Sequence, residues 1–100
     1  YIDPLWLSLA SGRPCYNLDF NTQSHQEIAG LFQRHSVGAA FSLLEGNKGL
    51  YDGLELDGSN SNAALAAQLE LPVVLVIDCQ GMTRGVAPLV LGYLNFEPKV

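Results

Sequence analysis

The sequence predicts a single small α/β domain, a parallel sheet with flanking helices. Residues 38–46 (GAAFSLLEG) and residues 71–79 (LPVVLVIDC) are short apolar runs without the alternation of a half-exposed strand. Such runs are typical of strands that are buried on both faces of a parallel sheet. A helical pattern lies between the two runs and another follows the second one. This order of elements predicts strands joined by right-handed helical crossovers.

Capping signals predict the first two helices. Asp3 is in position to cap the first helix, Pro4 suits its first turn, and Gly12 suits its end. Ser24 and Glu27 have the spacing of a capping box ahead of IAGLFQRH. The first helix is therefore expected to begin near residue 3 and the second near residue 25.

Periodicity and polar start residues predict two more helices, one in SNSNAALAAQLE and one in GMTRGVAPLVLGYL, where Pro88 lies near the first turn. Trp6 is interpreted as a core residue. His25 and His35 lie on the second helix, away from the carboxyl ends of the strands, and are interpreted as structural.

Charge and cysteine content limit the classes of partner. Ten acidic residues against five Lys and Arg give a net charge of -5, which argues against nucleic acid and anionic membranes. Cys15 and Cys79 are not in a CxxC pair and are expected to be free, buried thiols in a cytoplasmic setting. The first residues, YIDP, and the last, FEPKV, lead us to expect a piece of a longer protein.

Acidic residues stand at the ends of both predicted strands, where α/β proteins bind ligands. Glu45 follows the first strand. Its carboxylate is expected to bind Mg²⁺, to cap a neighbouring helix or to be solvated. Asp78 follows the second strand and suits Mg²⁺ through water or a helix cap. The glycines nearby allow close backbone approach, and the helix start near Ser61 offers N–H groups to an anion.

The turn after Glu45 adds two further candidates. Asp52 is expected to be a second metal ligand, to transfer a proton or to be a turn residue, since Asp-Gly favours turns. Lys48 suits a carboxylate or phosphate partner, or solvent. The sequence contains no GxxxxGK[ST] phosphate loop, no nucleophile elbow and no GxGxxG pattern. These residues do not make up a self-contained catalytic site.

Five motifs, YIDP, SGRPCYNLD, EGNKGLYDG, PVVLVIDCQGM and LVLGYLNFEP, occur in this order along the chain. In order and spacing they resemble the motifs of the cobyrinic acid a,c-diamide synthases. The resemblance implies a fragment of a P-loop-type, dethiobiotin synthetase-like fold that lacks the P-loop strand. Residues 1–100 would then be part of an ATP-dependent synthetase domain, without the glutamine amidotransferase domain of the family.

The same resemblance implies a ligase of cobalamin biosynthesis that uses ATP and Mg²⁺. An acetate side chain of a tetrapyrrole is phosphorylated, and ammonia released from glutamine displaces the phosphate. One alternative is the same reaction on sirohaem-type or nickel-sirohydrochlorin macrocycles. An alternative of another class is a non-catalytic α/β module that only binds a ligand or partner.

Residue by residue, the resemblance implies that Glu45 is a Mg²⁺ ligand. It implies that Asp52 lies near the metal and the acceptor carboxylate, as a metal ligand with a catalytic role. The resemblance also implies contacts with the tetrapyrrole by Tyr1, Ile2, Asp3, Ser59 and Lys48. Asp3 would in addition be catalytic. Lys48 would lie at the rim of the site, at a position where the family has an apolar residue. Because a missing central strand leaves unpaired edges, we also expect a homo-oligomer.

Overall fold

The computed structural model describes residues 2–100, which contain four helices. The chain divides into two compact units, residues 1–43 and residues 44–100. Their helices are α1 (Asp3–Ser11) and α2 (His25–Ser36) in the first unit and α3 (Asn62–Gln68) and α4 (Val86–Phe96) in the second. Tyr1, which the motif match places at the tetrapyrrole, lies outside the described residues.

Helix α1 begins one residue earlier than the capping prediction required. Ile2 occupies the N-cap position with helical dihedral angles (φ -86°, ψ -33°), and no side chain caps the helix. The prediction that Asp3 is the cap is therefore wrong, because Asp3 is already the first helical residue. Its carboxylate still lies in the first turn, where the helix dipole stabilises a negative charge. Gly12 ends the helix as predicted, at a φ of 66° and with its N–H bonded to the Ser8 carbonyl at 3.0 Å.

The capping box of α2 is confirmed. The Glu27 N–H donates to Ser24 Oγ at 3.3 Å, and the Ser24 N–H donates to Glu27 Oε2 at 2.7 Å. The histidines of this helix contact aromatic rings, with His35 stacked on Tyr16 at 3.7 Å between ring centroids. These contacts agree with a structural interpretation of the histidines.

Few apolar side chains are buried. Among the described residues the buried hydrophobic side chains are Ile28 and Ala63. Trp6 is 62% exposed, so its interpretation as a core residue is wrong. Cys15 is half-buried and Cys79 is exposed, so the cysteines are free as expected but not both buried.

No described residue lies in a β-strand, and the two apolar runs predicted to form strands, residues 38–46 and 71–79, contain neither strand nor helix. A strand exists only where its backbone groups pair with a neighbouring strand, and neither segment has such a partner here. Their side chains are correspondingly exposed, with Leu43 at 86% and Val74 at 88%. The sheet is therefore not formed, and the α/β fold class stays a prediction. Within residues 2–100, no helix has the length and apolar character needed to cross a bilayer.

Candidate functional site

The loop from Glu45 to Gly53 is anchored on the start of α3. The side-chain amide of Asn62 donates to the Lys48 carbonyl at 3.0 Å, and the Ala63 N–H donates to the Leu50 carbonyl at 2.8 Å. Gly46 packs against the Asn62 amide, because a Cβ at this glycine would lie 2.9 Å from Nδ2. These contacts hold the loop carrying Glu45 and Lys48 against α3.

Two glycines leave room for polar side chains of the same unit. The Asp52 N–H donates to the Gly49 carbonyl at 3.1 Å, and the Asp52 carboxylate fills the space that a Cβ at Gly49 would need. Asn60 Oδ1 fills the corresponding space at Gly53. That oxygen accepts the N–H groups of residues 54 and 55 at 2.8 and 3.1 Å. The glycines are therefore required by packing rather than by unusual dihedral angles.

The charged side chains of the loop are exposed and have no polar partner among the described residues. Glu45, Lys48 and Asp52 form no side-chain hydrogen bond or ion pair with the described residues. No group of three or more potential metal ligands occurs within residues 2–100. Mg²⁺ in proteins usually takes one or two carboxylates, with phosphates and water completing its shell. Glu45 and Asp52 would supply two carboxylates to such a shell, and phosphates and water would have to supply the rest.

A cavity of about 350 Å³ opens beside Asp52 in the second unit. It is lined by one charged side chain, aromatic rings and small or apolar residues of α4, namely Tyr51, Asp52, Pro88, Leu89, Gly92, Tyr93 and Phe96. The Tyr51 hydroxyl donates to the Tyr93 carbonyl at 2.9 Å. The Tyr51 ring lies 5.9 Å from that of Tyr93 and 4.7 Å from that of Phe96. The wall of the cavity is thus tied to the loop that carries Asp52.

Comparison with known proteins gives consistent sequence matches. The chain is 51% identical over 96 residues to the cobyrinate a,c-diamide synthase of Magnetococcus marinus, a match covering 96% of this chain. It is 43% identical over 103 residues to the synthase of the same name from Synechocystis sp., with 100% of this chain covered. The hydrogenobyrinate a,c-diamide synthase of Brucella anthropi is 43% identical over 101 residues.

This chain belongs to the cobyrinate a,c-diamide synthase family. The recognition from the five motifs is confirmed. The chain spans about a fifth of the length of these relatives, 21% for Magnetococcus marinus and 23% for Brucella anthropi. No family model matches the chain, and no solved structure matches it.

The structure corrects one expectation about the start of α3. We expected free N–H groups there for an anion, but the Ala63 N–H is bonded to Leu50 and the Ala64 N–H to Ser61 Oγ at 3.1 Å. These donors are already satisfied by the protein. In this member of the family, the helix start serves to anchor the loop.

Ser59 and Asp78 take part in local turns. The Ser59 N–H donates to Asp57 Oδ1 at 2.9 Å, and this bond, followed by one from the Ser59 hydroxyl, lowers the pKa of Asp57. Asp78 Oδ1 accepts the Gln80 N–H at 2.9 Å. Since α4 begins only at Val86, the alternative of Asp78 as a helix cap is wrong.

The remaining family-implied residues lie in the first unit. Ile2 is 70% exposed, and Asp3 is exposed in the first turn of α1. Their assignment to the tetrapyrrole site stays a prediction.

Sequence reasoning missed three residues that shape the site: Tyr51, Asn60 and Asn62. Tyr51 stands in the motif EGNKGLYDG, next to Asp52, and was passed over because its partner is 42 residues away. The asparagines flank Ser61 in a stretch that was interpreted only as a helix start. Asparagines close in sequence to a glycine-rich loop are the signal that would have found Asn60 and Asn62.

Proposed function

We propose that this chain is part of an ATP- and glutamine-dependent enzyme that converts tetrapyrrole acetate side chains to amides, a cobyrinic acid a,c-diamide synthase. The observation that carries the proposal is the 51% identity over 96% of the chain to a synthase of that name. The relatives named for hydrogenobyrinate make a corrin-type macrocycle the first candidate substrate. Sirohaem-type and nickel-sirohydrochlorin macrocycles are the alternatives for the same chemistry.

The proposed reaction has two steps. A carboxylate oxygen of the acetate forms a bond to the γ-phosphorus of ATP, and ADP leaves with the bonding electron pair. The nitrogen of ammonia then bonds to the acyl carbon, phosphate leaves, and the nitrogen loses a proton. Phosphorylation is needed because a carboxylate is a poor electrophile, and the acyl phosphate divides one difficult step into two easier ones.

The chain contributes charged groups to this chemistry. Glu45 and Asp52, whose carboxylates are free of protein partners, would hold Mg²⁺ together with the nucleotide phosphates. When bound, Mg²⁺ offsets the charge that develops on the transferred phosphoryl group. Asp52 lies at the cavity and would orient the acetate. Lys48, at the exposed edge of the loop, would attract a carboxylate of the macrocycle or a phosphate.

Within the proposed fold, residues 1–100 contribute part of a P-loop-type synthetase domain. Tyr1, Ile2, Asp3 and Ser59 complete the proposed tetrapyrrole contacts. A glutaminase domain would supply the ammonia. The second candidate function is a non-catalytic α/β module that binds a ligand or a partner, for which the cavity beside Asp52 would be the binding site.

A chimera tests the proposal directly. This chain would replace the 96-residue matching segment of the Magnetococcus marinus synthase, and the product would be followed by mass spectrometry. We expect a loss of about one mass unit per amidation, because OH is replaced by NH₂ in the acyl transfer. A folded chimera that leaves corrin, sirohaem and nickel-sirohydrochlorin substrates unchanged would favour the binding module.

Glu45→Gln in this chimera should remove most of the ATP-dependent amidation, because the Mg²⁺ shell loses one anionic oxygen. The matched control is Glu55→Gln, which neutralises an exposed glutamate of the same unit whose side chain has no assigned role. Initial rates and circular dichroism of both variants are the measurements. Turnover near that of the parent chimera in Glu45→Gln would exclude the metal assignment.

A further inference from the structure

We infer that Tyr51 is a positioning residue that fixes Asp52 at the mouth of the cavity by hydrogen bonding to the last turn of α4. The inference rests on the proposed function only for the role of Asp52. The positioning itself rests on contacts within the second unit.

The hydrogen bond from Tyr51 provides a donor for a backbone carbonyl that has no partner within α4. The last four carbonyls of an α-helix have no partner within the helix. Since α4 ends at Phe96, the Tyr93 carbonyl is one of these, and the Tyr51 hydroxyl reaches it at 2.9 Å. The bond is partly buried and joins residues 42 positions apart. It is therefore a tertiary restraint and not a local turn contact.

Tyr51 also lies between two other fixed points of the loop. The preceding carbonyl, that of Leu50, is bonded to Ala63 at 2.8 Å in the first turn of α3. The following N–H, that of Asp52, is bonded to Gly49 at 3.1 Å. The loop is thus held by α3 on one side of Tyr51, and the Tyr51 side chain attaches it to α4.

Asp52 depends on this attachment because its carboxylate has no side-chain partner among the described residues. Apart from its packing against Gly49, this carboxylate is positioned by its own backbone. The Tyr51 ring, packed against Tyr93 and Phe96, fixes that backbone beside the cavity. Small displacements of a reacting group cost large factors in rate, so this restraint bears on function.

Tyr51→Phe isolates the hydroxyl, because it keeps the ring and removes only the bond to the Tyr93 carbonyl. Tyr16→Phe is the matched control: it removes a tyrosine hydroxyl of the first unit that forms no hydrogen bond with the described residues, and it keeps the ring that stacks on His35. The first measurement is amide hydrogen exchange on the 100-residue chain. In Tyr51→Phe we expect the Asp52 amide to exchange about fivefold faster, the factor given by one ordinary hydrogen bond.

The α2 amides serve as an internal reference and should not change in either variant. Equal exchange at Asp52 in the two variants would overturn the inference. Faster exchange throughout residues 2–100 in Tyr51→Phe would also overturn it, because the hydroxyl would then act on stability as a whole.

The second measurement connects the restraint to the reaction. In the chimera described above, Tyr51→Phe should raise the half-saturating Mg²⁺ concentration by about the same fivefold factor, while Tyr16→Phe leaves it unchanged. A purely structural role would lower the maximal rate and leave half-saturation where it was, and that result would overturn the inference. If the parent chimera makes no amide, the proposed function fails, and the hydrogen-exchange result alone decides the positioning role.

Discussion

Single residues of the glycine-rich loop determine which side chains fit beside it. The Asp52 carboxylate lies over Gly49, and the Asn60 amide lies over Gly53, so both glycines are explained by neighbours rather than by conformation. The acidic side chains and the glycines were visible in the sequence as a ligand-binding pattern. Which glycine faces which side chain was not, because that pairing depends on how the loop turns back on itself.

Gly49→Ala should displace the Asp52 carboxylate, because the new methyl group would occupy its position. In the chimera we expect amidation to fall by up to about a hundredfold, the factor that misplacing a group of the site by an ångström can cost. The chain should remain folded, because the exposed Asp52 side chain can move aside. Rates and thermal unfolding would be measured together.

The control for this change is Gly30→Ala in α2, where no atom lies within 4 Å of the new Cβ. It should raise the free energy of unfolding by about 0.5–1 kcal/mol, as expected for alanine in place of glycine within a helix. Unchanged amidation in Gly49→Ala would show that the position of Asp52 does not matter.

Helix boundaries were the part of the structure that sequence patterns predicted best. The capping box at Ser24 and Glu27 and the terminal glycine at Gly12 are confirmed, because each acts within a few residues. The cap at Asp3 is wrong because Ile2 already has helical dihedral angles. The placement of Pro88 in the first turn of α4 is also confirmed.

The capping box predicts a pH dependence of α2. Hydrogen bonds from the Ser24 backbone, and then from its hydroxyl, lower the pKa of Glu27 below 4.5 in the folded chain. A lowered folded-state pKa adds stability above the unfolded value, and this stability is lost as the pH falls through the folded pKa. We expect helix content, measured by circular dichroism, to fall as the pH drops below the unfolded pKa of Glu27 and through its lowered folded-state pKa.

Glu27→Gln is the matched variant, because glutamine can still accept the Ser24 hydrogen bonds but does not titrate in this range. Its helix content should change less over the same pH interval than that of the parent chain. Identical pH profiles for the two chains would show that Glu27 does not contribute to the acid sensitivity.

At the scale of the whole molecule, large apolar side chains are exposed in both units. Phe41 and Leu43 are 80% and 86% exposed, and Val74 and Val76 are each 88% exposed. These residues lie in the segments predicted as strands. Exposed apolar segments with unpaired backbone groups are costly and favour pairing with another chain.

The chain should therefore form a dimer or larger assembly in sedimentation experiments at low micromolar concentration. Val76→Lys should shift the population towards monomer, because a charge on an edge segment opposes pairing. The 100-residue chain should also bind ATP only weakly in calorimetric titration, because its sequence has no phosphate loop to hold the phosphates. A stable monomer that binds Mg-ATP tightly would contradict both expectations.

The sequence by itself determined the family, the four helices and the position of the charged, glycine-rich loop. Helices and their caps are formed by contacts within a few residues, so local patterns are enough to predict them. Local patterns are not enough to predict strands, because a strand forms only with a partner strand from another part of the sequence. Tertiary structure decided how Asn62 holds the loop at Lys48 and how Tyr51 reaches Tyr93, since these partners are 14 and 42 residues apart. Such contacts depend on the path of the chain in space, which no local pattern records.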